Sequence, residues 1–169
     1  MTTGAGRYRP ETSLLWLAGF LLLLGAIVYA VDRGGNVYFL PDYLTHGEVN
    51  PVLGSLGEHL PSLVHTLAFI AITTAVLWPW PRLLPVTCLS WLAIECAFEL
   101  GQIDAIGDRI AASTPAWVHG VPVLEEIPDF FAQGTYDPLD VLAIGLGAIV
   151  AYLGLRYVHE KEQCDVATQ

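Results

Sequence analysis

The sequence predicts an all-α, polytopic membrane protein with four transmembrane helices and short interfacial helices in its second outer loop. Three observations carry this. Of 169 residues, 54% are hydrophobic and only 14% charged, against about 25% charged in an ordinary soluble domain. Four apolar stretches each approach the roughly 20 residues that a helix needs to cross a hydrocarbon core of about 30 Å. The alternating ten-residue segments of a membrane barrel are missing, and in lipid only helices and closed barrels satisfy their own backbone.

The first span is read as Leu14 to Val31. Arg7 and Arg9 precede it, and Val28-Tyr29-Ala30 loosely resembles a cleavage site. The apolar stretch exceeds the usual h-region of about 7–15 residues, so an uncleaved signal anchor is expected. It carries no charge in its centre, and Leu21 to Leu24 are expected to face lipid, which makes this helix the peripheral one. The second span is read as Leu63 to Trp80 and the third as Leu83 to Leu100, joined by the turn Trp78-Pro79-Trp80-Pro81-Arg82. The fourth runs from Leu139 to Val158. Ala143, Gly147 and Ala151 repeat at four-residue spacing along it, with Gly154 following, and small residues in that pattern let helices pack closely.

Orientation follows lysine and arginine rather than net charge. With the N-terminus inside, Arg7, Arg9, Arg82, Arg156 and Lys161 are cytoplasmic, and Arg33 and Arg109 lie outside. Residues 1–13 and 159–169 are thus expected in the cytoplasm of a bacterial inner-membrane protein, flanking a membrane domain of residues 14–158 with outer loops 32–62 and 103–138. The outer loops hold ten of the seventeen carboxylates. In the second loop Ile103, Ile106 and Ile110 have helical spacing. So do Val123, Ile127 and Phe130, with Glu125, Glu126 and Asp129 opposite and Pro122 suited to a first helical position. Two short helices on the membrane surface are expected there.

Charge inside a span is costly and therefore informative. Glu95 and Glu99 lie four apart on one face of the third span, and Gln102 continues that face. His65 opens the second span, and Asp137 and Asp140 open the fourth. The orientation brings His65, Glu99, Gln102, Asp137 and Asp140 to one depth near the outer surface, with Glu95 about 6 Å deeper. A convergence of polar side chains from three helices is the expected site. The plainer account of Asp137 and His65 is that they face headgroups and water. Two carboxylates at this spacing repel when both are ionised, so one is expected to be protonated or paired, with His65 or an outer arginine.

Several functions are disfavoured. A net charge of −10 and a pI of about 4.6 argue against nucleic acid, which selects a basic face. Cys88 and Cys96 are about 12 Å apart along a helix, too far for a disulfide, and Cys164 lies in the polar tail. One His with Glu and Asp from neighbouring helices could hold Zn²⁺, Mn²⁺ or Mg²⁺, but the spacing specifies no particular metal and no CxxC or HExxH pattern is present, so no metal or other cofactor is expected. Ser62 and Ser90 lack a nucleophile motif, and Thr73 and Thr74 are expected to bond back to their own helix.

Three short motifs in order, His65-Thr66-Leu67-Ala68-Phe69, Glu99-Leu100-Gly101-Gln102 and Asp137-Pro138-Leu139-Asp140 with Gly147 beyond, resemble the VanZ-like family of small bacterial membrane proteins over roughly residues 61 to 154. The resemblance implies a role at the cell envelope. The first expectation is a protein that binds or shields an envelope lipid or contributes to envelope antibiotic tolerance. A membrane-embedded enzyme on a lipid-linked substrate, with Glu99 or His65 as acid or base, is the second. A structural subunit whose acidic loops dock another membrane protein is the third. A transporter is less favoured, because four spans without an inverted repeat need oligomers to form a pathway.

Overall fold

The computed structural model describes residues 10–33 and 52–167. Every regular element among them is helical. α1 is Pro10–Val28 and α2 is Ser55–Val76. α3 is Leu84–Gly101, and α4 is Asp104–Ser113. α5 is Ile127–Gln133, and α6 is Pro138–Ala167. Four helical segments, Pro10–Asp32, Ser55–Val76, Pro81–Gly101 and Pro138–Cys164, are long and apolar enough to cross a membrane. The chain is an all-α, multi-pass membrane protein.

α2 is the hub. One face packs on α1, where Ala18 meets Ala68 and Ala71 in a small-residue cluster with Leu21 and Leu22 against it. These two leucines therefore turn toward α2 rather than toward lipid, while Leu23 is 58% exposed. A second face meets α6. A Cβ at Gly147 would stand 2.9 Å from the Leu63 carbonyl oxygen and 3.1 Å from Thr66 Cβ. Ile144 and Ala151 are buried beside it. Gly154 has nothing within 4 Å of a built Cβ, so the small-residue stripe serves packing in its first three turns only. The third face meets α3, where the Trp91 indole donates to Thr73 Oγ1 at 2.8 Å and stacks on Phe69 at 4.8 Å. Thr73 and Thr74 were expected to bond back to their own helix; instead Thr73 accepts from α3, and Thr74 Oγ1 is buried without a hydrogen-bond partner among the described residues. Outward-facing Leu15, Trp16 and Phe20 of α1, Val86 and Leu89 of α3, and Leu142, Leu146 and Ile149 of α6 are exposed, as lipid-facing side chains are.

Several boundaries differ from the sequence expectation, and α1 begins four residues early, at Pro10. α2 begins eight residues early, at Ser55, and stops at Val76. Pro61 lies inside it. Proline removes one backbone donor and is normally a boundary signal, and together with Glu58 and His59 it made this stretch resemble a loop. The helix tolerates Pro61 where the side chain is fully buried. Gly54, with φ 55°, sets the turn into α2 that a side chain would strain. α6 continues past Val158 to Ala167, so the first part of the expected tail is helical.

The surface helices form with their own boundaries. α4 covers the isoleucine stripe. α5 starts at Ile127, with Pro128 rather than Pro122 in its first turn. Pro122 falls in a bend before Val123, which has φ 72°. α4 and α5 pack on each other through Gly107, where any side chain would run into the Phe131 backbone carbonyl. Phe131 stacks on Phe98 of α3 at 5.6 Å, which fixes the pair at one end of the bundle.

Candidate functional site

The ends of α1 and α3 and the starts of α2 and α6 lie at the same end of the bundle as α4 and α5, because successive spans alternate in direction. α1 finishes in a π-helical turn, Tyr29–Arg33, which carries the buried Asp32 against α2. Its Oδ1 accepts the backbone N–H groups of Val52 and Leu53, at 2.5 and 2.8 Å. A side chain at Gly57 would collide with this carboxylate. An acidic group here complements the positive end of the α2 dipole.

At the neighbouring α2–α6 contact, His59 Nδ1 lies 3.1 Å from Asp140 Oδ1 and 3.8 Å from Asp137 Oδ2. Ser62 Oγ donates to the same Asp140 oxygen at 3.0 Å. Asp137 caps α6, its Oδ1 accepting the Leu139 N–H at 2.8 Å. Asp140 is 7% exposed, and this close pairing with His59 and Ser62 compensates the loss of water around its carboxylate. Glu58 lies 3.9 Å from the other imidazole nitrogen.

One turn deeper along α2, Thr66 is fully buried. Its Oγ1 lies 2.8 Å from the Ser62 carbonyl oxygen and 2.5 Å from Glu95 Oε2 of α3. The second oxygen, Glu95 Oε1, is buried without a hydrogen-bond partner among the described residues. Glu95 is thus held from one side, inside a span.

The six residues named from the sequence fall into separate groups. Asp137 and Asp140 stand together with His59. Glu95 joins Thr66 below them. Glu99 lies a turn further along α3, half-buried. Gln102 packs at the end of α5, where a Cβ on Gly134 would come within 2.6 Å of its Oε1. His65 turns to α1 instead. Its ring lies 6.0 Å from Tyr29 and 6.2 Å from Phe69, and its Nε2 would be 3.0 Å from a Cβ at Gly25. Helical phase explains the separation, since successive residues are about 100° apart. His59, Ser62, Thr66 and Thr73 fall on one stripe that spans the α3–α6 side, and His65 is one step off it. That polar stripe, with spacings of three, four and seven, was the signal in the sequence; beginning the span at Leu63 hid its first two members.

No family model matches the chain, and no solved structure matches it. Among curated proteins it is similar to a Na⁺/H⁺ antiporter NhaA of Albidiferax ferrireducens, with 26% identity over 151 residues and 84% of this chain covered. The chain spans 34% of that relative's length.

Proposed function

We propose that this chain is an ion-exchanging membrane protein in which the Glu95 carboxyl takes up a proton or a monovalent cation. The observation that carries this is the half-satisfied carboxyl within a span. An ionised group there needs a positive partner, and the described surroundings of Glu95 Oε1 supply none. Thr66 orients the group, and the aspartates at the head of α6 give the approach from that end a negative potential that attracts cations. The similarity to a protein named as a Na⁺/H⁺ antiporter supports the reading. We place it in a bacterial inner membrane with both termini in the cytoplasm, because five of its seven basic residues are then inside.

The test uses purified full-length protein in proteoliposomes carrying an internal pH-sensitive dye. A Na⁺ or Li⁺ pulse should move protons with wild-type protein, and E95Q should reduce that movement to the level of empty vesicles. Equal rates for E95Q and wild type would overturn the proposal.

A second reading is a VanZ-like protein of the cell envelope that binds or shields a lipid headgroup. The part-exposed Asp137 at the start of α6, with His59 beside it, favours it, as does the place of Asp140 and Gly147 on the α6 face that meets α2. Deleting the gene should then change sensitivity to envelope-directed antibiotics without a change in Na⁺-dependent proton movement.

A further inference from the structure

From the convergence of His59, Asp137 and Asp140 we propose a divalent metal site of the Zn²⁺ or Mn²⁺ class at the α2–α6 junction, with ligands separate from Glu95. One imidazole nitrogen and one oxygen from each carboxylate lie within 4.8 Å of one another. A tetrahedral ion with bonds of about 2.0–2.1 Å holds its ligand atoms ~3.3 Å apart. The His59 separations of 3.1 and 3.8 Å bracket that value; the two carboxylate oxygens, within 4.8 Å of each other, would draw together on binding. A mixed imidazole and carboxylate set suits Zn²⁺ or Mn²⁺, whereas Mg²⁺ and Ca²⁺ favour shells of oxygen alone.

The surrounding groups are arranged as metal ligands require. His59 points Nδ1 at the aspartates and Nε2 toward Glu58. At 3.9 Å this carboxylate is beyond hydrogen-bond reach of Nε2; a rotation of the exposed Glu58 side chain would bring it behind the ring, where a carboxylate fixes the tautomer of a ligating imidazole. Ser62 holds Asp140 by a hydrogen bond. Asp137 has its Oδ1 committed to the α6 backbone and its Oδ2 turned to the imidazole. Without an ion, the contact between Nδ1 and Asp140 is met by a ring proton; the ion would take that proton's place. The ligands come from α2 and from both sides of the first turn of α6, so the ion would tie the two helices together where Asp137 is still half-exposed and gives access.

Full-length protein, freed of its affinity tag and stripped with a chelator, is titrated in detergent with Zn²⁺ against a chromophoric competitor. One equivalent per chain is expected. H59A and D137N should each weaken binding at least about tenfold, and E95Q and H119A should bind as wild type. Circular dichroism and gel filtration show that each variant is folded; D137N, at the more exposed position, covers the case in which H59A does not fold. Absence of saturable binding, a loss below tenfold in folded H59A and D137N, or loss in E95Q with H59A unaffected would each overturn the site.

Discussion

A single hydroxyl decides how Glu95 is presented. Among the described residues Thr66 is its only hydrogen-bond partner, and a hydrogen bond to a carboxyl group is worth about 1–3 kcal/mol. T66V should therefore slow Na⁺-dependent proton movement while leaving insertion intact, and H65L should leave it near wild type, because His65 faces Tyr29 and α1. The two variants sit next to each other in sequence, so proton-flux assays on both read the helical phase directly; equal losses would contradict it. Glu95 was legible in the sequence because a carboxylate within an apolar run stands out against its neighbours. His59 was not, because the proline two positions later and the glutamate before it read as loop. Burial of Pro61 against the bundle outweighs the lost backbone bond, and this is a tertiary effect that no local pattern records.

At the level of helices, close approach governs stability. G147V would press a branched side chain onto the Leu63 carbonyl, 2.9 Å from the Cβ position. Overpacking of this kind costs about 1–3 kcal/mol, and a lower melting temperature in detergent should report it. G154A, in open space, should leave that temperature unchanged. Removing the Asp32 carboxylate by D32A should cost about 1 kcal/mol through the start of α2. Replacing Val123, a branched residue at φ 72°, by glycine should stabilise the turn before α5 by about 1 kcal/mol, the order of the left-handed penalty. The small-residue pattern of α6 announced its packing face, since Gly147 and Ala151 both lie in the contact. It overran at Gly154 because spacing records which side of a helix is small, not how far the neighbouring helix follows it. The surface helices were legible from their isoleucine and phenylalanine periodicity, and their starts shifted because Pro128, not Pro122, has the backbone angles that a first turn needs.

For the molecule as a whole, four spans were legible from length and hydropathy alone, and which span lies at the centre was not. α2 is the least apolar of the four by mean hydropathy, 1.4 against 2.5 for α1. It is also the one that packs on the other three, and His59, Thr66 and Thr73 find their partners on α6 and α3. Reporter fusions at Trp117 and after Cys164 should give opposite compartments, the second one cytoplasmic. The 30 residues of α6 rise about 45 Å at 1.5 Å each, well beyond a hydrocarbon layer of about 30 Å. Its last turns, braced by the Arg156–Glu160 pair at 2.7 Å, therefore stand clear of the bilayer as a stiff mast. A helical scaffold grafted in register onto that mast would move rigidly with the bundle, giving a protein of 18.4 kDa the bulk and orientation marker that single-particle imaging demands.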